Sequence, residues 1–131
     1  MKFILPYPPS GNRYWRVFRG RPVVSAEAKA YKLRVRLENL RVKPMPGSLV
    51  LKRFHAYRPQ KRGDLDNLFK VALDALNGIA WVDDKQLRRF EDVELFDDKE
   101  NPRIELIVEP YIQAVTALPA KRKKQLAGVL G

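Results

Sequence analysis

The order of the elements that the sequence predicts is that of an α+β domain, with a small mixed sheet and two main helices. Short strands separated by turn residues come before a first helical stretch. One long strand then leads to a second helical stretch, and a hairpin closes the domain. With 131 residues, the chain is long enough for one domain with a core and too short for two.

Alternating apolar residues and turn signals mark the strands of the amino-terminal part. We predict a strand at residues 2–7, ended by three prolines, and an arginine-rich hairpin of residues 14–18 and 21–24. Basic and aromatic residues alternate in this hairpin, and such a pattern suits contacts with phosphates and bases. It equally suits a hairpin whose aromatic side chains belong to the core, because alternation does not say which face is buried.

The first helix is expected to begin after Ser25, a favourable N-cap residue, and to run to about Arg41. We expect an apolar stripe with spacings of four and three to face the core, and a basic face to lie opposite. The stripe consists of Ala26, Ala30, Leu33, Leu37 and Leu40. The long strand that follows, over residues 48–57, contains His55, the only histidine, to which we assign no role.

The second helix is predicted from a single apolar stripe that ends shortly before Gly78, a residue suited to a left-handed C-terminal cap. The stripe consists of Leu65, Leu68, Phe69, Ala72, Leu73 and Leu76. Strands at residues 87–96 and 103–109 then close the domain near Tyr111. We therefore expect one domain at residues 1–111 and a basic extension at residues 112–131, with a short helix opening at Pro119.

Charge is distributed unevenly along the chain. The formal net charge is +11, but residues 1–62 carry +14 and residues 63–111 carry −7. A basic part beside an acidic part indicates a surface that binds a polyanion, next to a site that binds a metal ion. The absence of cysteine excludes disulfides and thiolate metal sites. No apolar run has the length of a membrane span or a signal peptide, so we expect a soluble cytoplasmic protein.

A group of acidic residues lies at the start of the second helix and shortly after its end. Asp64 and Asp66 open the helix, Asp84 follows it, and Lys70 lies one turn after Asp66. Three carboxylates behind a basic run suit an oxygen-ligand site for Mg²⁺. The simpler interpretation is that one aspartate caps the helix and Lys70 pairs with Asp66 or Asp74 on a solvated face.

Five segments of the sequence resemble the RusA family of Holliday junction resolvases. They are residues 5–14 (LPYPPSGNRY), 24–28 (VSAEA), 63–70 (GDLDNLFK), 74–76 (DAL) and 81–84 (WVDD). The resemblance covers residues 3–111. The paired signature D-L-D-N-L-x-K and W-x-D-D is far more specific than either half alone.

This resemblance implies a homodimeric, Mg²⁺-dependent endonuclease that makes paired symmetric nicks in four-way DNA junctions, with Mn²⁺ as a substitute metal. The family's metal ligands fall on Asp64, Asp66 and Asp84, and its catalytic lysine falls on Lys70. The host would be a bacterium, whether the gene is bacterial or carried by a phage. Two alternatives remain, a non-catalytic module that binds branched DNA and the same nuclease acting on flaps and forks.

Basic residues of the hairpin and of the run before the acidic motif are expected to contact DNA. They are Arg13, Arg16, Arg19, Arg21, Arg58, Lys61 and Arg62. The regions around Trp15, Phe18 and Trp81 carry aromatic area that one small domain is not expected to bury fully. We therefore expect them to contribute to the homodimer interface.

Overall fold

The computed structural model of the chain describes residues 1–9, 15–61 and 64–112. Their order is β1 (Lys2–Pro6), β2 (Trp15–Phe18), β3 (Arg21–Val24), α1 (Ala26–Leu37), β4 (Leu49–Arg58), α2 (Leu65–Ala75), a 3₁₀ helix (Asp84–Gln86), β5 (Leu87–Phe90), β6 (Val93–Asp97) and β7 (Arg103–Pro110). The predicted α+β class is confirmed. The short helix predicted in the extension lies outside the described residues, and the domain boundary stays a prediction.

Strand β4 lies in the middle of a mixed five-stranded sheet. Antiparallel β7 and then β1 lie on one side of it, and β5 and β6 run parallel to it on the other. The parallel pairing is possible because α2 carries the chain back between β4 and β5. The predicted hairpin is present as a separate pair, β2 with β3.

The strand predicted at residues 87–96 is two strands, because the chain breaks at Glu91 and Asp92. Asp92 has a left-handed backbone (φ 46°), a conformation that aspartate adopts more readily than most residues. Its carbonyl accepts a hydrogen bond of 3.1 Å from the Phe54 amide of β4. The segment between β5 and β6 is therefore hydrogen-bonded to β4, the strand with which both β5 and β6 pair.

One face of the sheet packs against both helices and forms the core. Alternate residues of β1, β4 and β7 point to this face and are buried, among them Leu5, Phe54 and Leu106. The residues between them point to the other face, where charged side chains and apolar ones such as Ile4 are mixed. Ion pairs lie there, including Lys2 with Glu105 at 3.8 Å.

Helix α1 buries a different stripe from the one that its periodicity suggested. The residues that reach the core are Ala28, Tyr31 and Val35, whereas Leu33 and Leu37 are 55% and 56% exposed. The helix also ends at Leu37, before the predicted Arg41. Both stripes have helical spacing, so the sheet decides between them, and the Tyr31 hydroxyl donates to the Pro6 carbonyl of β1 at 2.7 Å. The Ser25 cap is confirmed, since its hydroxyl accepts from the Ala28 amide.

Helix α2 agrees with the predicted stripe, which is buried or packed against the core throughout. Gly78 has the left-handed backbone expected beyond the helix (φ 82°). Trp81 is fully buried in the core of its own chain, and its indole nitrogen donates to the Asn77 side chain at 2.7 Å. The expectation that Trp81 contributes to a dimer interface is therefore wrong. None of the helices among the described residues is long and apolar enough to cross a membrane.

Candidate active site

The amino-terminal end of α2 holds three of the predicted site residues. Asp64 is the N-cap, and its two carboxylate oxygens accept hydrogen bonds from the backbone amide (2.9 Å) and the side-chain amide (3.2 Å) of Asn67. Asp66 lies 3.3 Å from the Lys70 ammonium group one turn further on. All of these side chains are exposed. The simple interpretation, a cap and an ion pair on a solvated face, is thus also realised in the structure.

Asp84 lies at the other end of α2, at the start of the 3₁₀ helix. The pKa of its carboxyl group is raised, first by burial and then by the neighbouring charges of Asp83 and Asp74. A hydrogen bond with Asn77, just beyond the end of α2, acts in the opposite direction. These contacts place Asp84 beside the last turn of the helix, close to the carboxylates of Asp83 and Asp74.

The predicted metal ligands therefore lie in two groups at opposite ends of α2, since Asp84 contacts Asn77 just beyond its carboxyl-terminal end. Helix α2 has 11 residues, which corresponds to about 16 Å at 1.5 Å per residue. Among the described residues, the one group of three acidic or histidine side chains with ligand atoms within 4.8 Å of one another lies elsewhere, in β4 and around β6. A single chain thus does not assemble Asp64, Asp66 and Asp84 into one cluster, and their metal-binding role stays a prediction.

A row of alternating charges connects the two groups along one face of α2. Lys70 lies between Asp66 and Asp74 at intervals of four residues, and Lys32 of α1 reaches Asp74 at 2.8 Å. The two helices are linked through this second ion pair. Of the two partners predicted for Lys70, the structure has Asp66, whereas Asp74 pairs with Lys32 instead.

Three residues that the sequence analysis did not single out hold these groups in place. Gln86 accepts from the backbone amides of Val82 and Asp83 and donates to two carbonyls of the loop before β4. Asn67 and Asn77 hold Asp64 and Asp84, as described above. Asp83 and Gln86 form a capping box, so the D-x-x-Q spacing was a usable signal.

The basic residues predicted to contact DNA are only partly within the described chain. Arg19 and Arg21 are exposed at the turn between β2 and β3, and Lys61 is exposed before α2. Arg58 ends β4, where its guanidinium pairs with Asp97. Arg16 lies in β2, whereas Arg13 and Arg62 lie outside the described residues. Their contacts with DNA stay predictions.

Apolar side chains surround an open pocket beside Asp66. The pocket is lined by Leu65, Phe69, Phe90 and Val93 together with Asp66. Phe69 and Phe90 pack edge to face, with ring centroids 4.9 Å apart, and Phe90 remains 51% exposed. Large apolar side chains that stay exposed beside a functional group commonly mark a binding surface.

Comparison with known proteins identifies a matching family and several relatives that cover more than half of the chain. Residues 6–109 match the model of the family described as "Endodeoxyribonuclease RusA". A relative named "Crossover junction endodeoxyribonuclease RusA" from Escherichia coli strain K12 is 44% identical over 87 residues, which cover 63% of this chain and 72% of the relative. A protein of the same name from Enterobacteria phage 82 is 40% identical over 93 residues, with the same coverage of each chain.

Proposed function

Because the chain belongs to the RusA endodeoxyribonuclease family, we propose that it is a metal-dependent endodeoxyribonuclease that resolves four-way DNA junctions by paired nicks. Recombination and repair are the processes in which such junctions arise. The observation that carries this proposal is the position of both halves of the family signature at the two ends of one helix, α2. The protein would act in the cytoplasm of a bacterial host.

We assign Asp64, Asp66 and Asp84 as ligands of Mg²⁺, with Mn²⁺ as a substitute. The donors are all carboxylate oxygens, which suit either ion. The raised pKa of Asp84 supports this assignment, because a bound cation would relieve the repulsion from Asp83 and Asp74. When bound, the metal would lower the pKa of a coordinated water and offset charge on the phosphate.

We assign Lys70 a role in stabilising the transition state. Its ammonium group lies 3.3 Å from Asp66, so it is next to this proposed metal ligand, on the solvent side of α2. From there it can orient the attacking water or stabilise the charge that develops on the phosphate. The basic β2–β3 hairpin and Lys61 would bind the backbones of the junction arms.

We further propose that each active site is shared between two chains of a homodimer. A two-fold axis that pairs α2 with the partner's α2 in antiparallel orientation places the Asp64 and Asp66 end of one helix beside the Asp84 end of the other. Such an interface is isologous, so it generates two equal sites, as paired nicks in two strands require. The position of the ligands at opposite ends of α2, a helix about 16 Å long, supports this arrangement.

The apolar pocket beside Asp66 supports the same interface. Leu65, Phe69, Phe90 and Val93 lie at the amino-terminal end of α2, where the partner would dock. Burying the exposed ring of Phe90 would add the aromatic contact that such interfaces favour. Charged residues of α2 beside it would remain available to the metal and to DNA.

A mixing experiment tests the shared site directly. Asp66→Asn and Asp84→Asn should each abolish nicking when purified alone. In a heterodimer of these two variants, one site has both substitutions and the other has none. Protein that is unfolded and refolded as a mixture of the two variants should therefore regain nicking of one strand per junction. Two variants at the same end, Asp64→Asn and Asp66→Asn, are the matched control and should not recover. Failure of the first mixture to recover would rule out sharing of the site.

The activity itself is tested separately with wild-type protein. Labelled four-way junction, linear duplex, flap and fork are incubated with Mg²⁺ or with EDTA. Symmetric nicks in the junction, present with Mg²⁺ and absent with EDTA, are expected. Binding without cleavage would favour the non-catalytic module, and preferential cleavage of flaps or forks would change the assigned substrate. Neither result depends on whether the site is shared.

A further inference from the structure

A second group of metal-ligating side chains lies away from the proposed active site. His55 of β4, Asp92 of the break between β5 and β6, and Glu94 of β6 have ligand atoms within 4.8 Å of one another. His55 and Glu94 are direct partners in the parallel pairing of β4 with β6, so their side chains leave the sheet on the same face. The left-handed backbone of Asp92 adds the third side chain to this pair.

The imidazole of His55 is directed at the carboxylate of Asp92. Its Nε2 atom lies 3.0 Å from Asp92 Oδ1, so the two groups form a close ion pair when His55 is protonated, but the contact is not aligned as a hydrogen bond. Two ligand atoms at right angles, each about 2.1 Å from a metal ion, lie about 3.0 Å apart.

Neighbouring side chains hold two of the three ligands, Asp92 and His55, in position. Asp92 Oδ2 is 3.1 Å from the Arg53 guanidinium, which leaves Oδ1 directed at His55. The Phe96 ring packs edge to face on the imidazole, with centroids 5.0 Å apart. Such outer contacts commonly orient the ligands of metal sites.

We propose that His55, Asp92 and Glu94 form a second cation site, selective for first-row divalent transition metals of the Mn²⁺ to Zn²⁺ series over Mg²⁺. An imidazole nitrogen favours these ions, whereas Mg²⁺ prefers oxygen ligands. A metal bound here links β4 to β6 across the break at Asp92. It therefore stabilises the edge of the sheet by binding only the folded state.

This site is structurally separate from the proposed nuclease centre. Phe54, the residue before His55, points into the core and contacts Phe69 of α2 at 4.9 Å. His55 consequently projects from the opposite face of the sheet, since successive side chains of a strand alternate. Loss of the second site should therefore leave the metal ligands at the two ends of α2 intact.

The only histidine of the sequence provides a specific probe. In untagged protein, the imidazole protons of His55 give one set of proton NMR signals. Paramagnetic Co²⁺ at substoichiometric to equimolar amounts should broaden this set, and Zn²⁺ should shift it. Mg²⁺ at tenfold excess should do neither. An unchanged His55 signal with both transition metals would overturn the proposal.

Substitutions distinguish a built site from a histidine that merely collects metal at the surface. Glu94→Gln should weaken Co²⁺ binding, followed at the His55 signal, by roughly tenfold or more. Glu109→Gln, an exposed glutamate at the end of β7, is the matched control and should bind as wild type. The nuclease-centre variant Asp66→Asn should also retain the response. Equal binding by Glu94→Gln and wild type would overturn the proposal, as would loss of the response in Asp66→Asn.

Discussion

The two ends of α2 carry acidic side chains in opposite electrostatic surroundings. At the amino-terminal end, Asp64 receives two hydrogen bonds from Asn67, and Asp66 pairs with Lys70. This end of the helix dipole is also positive and favours anions. At the carboxyl-terminal end, Asp84 is next to Asp83 and Asp74, and its pKa is raised.

The difference indicates which carboxylates stabilise the fold and which one does not. Asp64 and Asp66 contribute to the stability of α2 whether or not a metal is bound. Asp84 is held among like charges at the end of the helix that disfavours anions, so its ionised form destabilises the folded chain. A carboxylate that lowers stability in this way is expected at a site where it binds a cation or contacts a substrate.

The largest effect that can sharpen this comparison concerns the two lysines that pair with aspartates of α2, Lys70 and Lys32. Lys70→Ala should lower the rate of junction cleavage roughly a hundredfold or more with little change in junction affinity, because it removes a transition-state contact. Lys32→Ala, which removes the lysine paired with Asp74, is the matched control and should change the rate only a few-fold. Single-turnover cleavage and gel-shift binding measure the two quantities. A loss confined to binding would make Lys70 one more phosphate contact.

A smaller effect separates the capping role of Asp64 from its proposed metal role. Asp64→Ala should lower the free energy of unfolding by about 1 kcal/mol, because it removes the N-cap. Asp64→Asn should retain most of this stability, since asparagine caps almost equally well, yet should be equally inactive. Urea denaturation and junction cleavage of the two variants provide the test. An active asparagine variant would reduce Asp64 to a helix cap.

The smallest expected effect is a gain of stability in Asp84→Asn. A raised folded-state pKa means that the folded chain binds this proton more readily than the unfolded chain does. Wild-type stability should therefore improve, relative to the variant, as the pH falls through the folded-state pKa of Asp84. At pH 7 the variant should unfold at a higher temperature than wild type. This difference in unfolding temperature should disappear as the pH falls towards 3.8, the ordinary pKa of an aspartate side chain.

Asp98→Asn is the control of opposite sign for this experiment. The pKa of Asp98 is lowered, first by the Asn101 backbone amide and also by Arg103, so its ionised form stabilises the fold. This variant should unfold at a lower temperature than wild type at pH 7, and its deficit should shrink as the pH falls through the range where Asp98 titrates. An Asp84→Asn protein that is less stable than wild type at pH 7 would contradict the contrast between the two ends of α2.

Much of α2 and of the motif on it could be predicted from the sequence. The helix has one apolar stripe, so periodicity alone identified the residues that are buried or packed against the core. The Asp64 cap and the Asp66–Lys70 pair follow from spacings of three and four residues. Helix α1 carries two apolar stripes of similar quality, and there the prediction selected Leu33 and Leu37, which are exposed.

Local features of the chain were thus determined by the sequence itself: the strands, the starts of both helices, the acidic motif and the family to which its signature belongs. Tertiary structure alone decided the face that α1 turns to the sheet, the burial of Trp81 and the break at Asp92. It also decided that Asp84 lies at the opposite end of α2 from Asp64 and Asp66. Caps and periodicities arise from contacts between residues a few positions apart, whereas these distances and faces depend on packing between residues far apart in the chain.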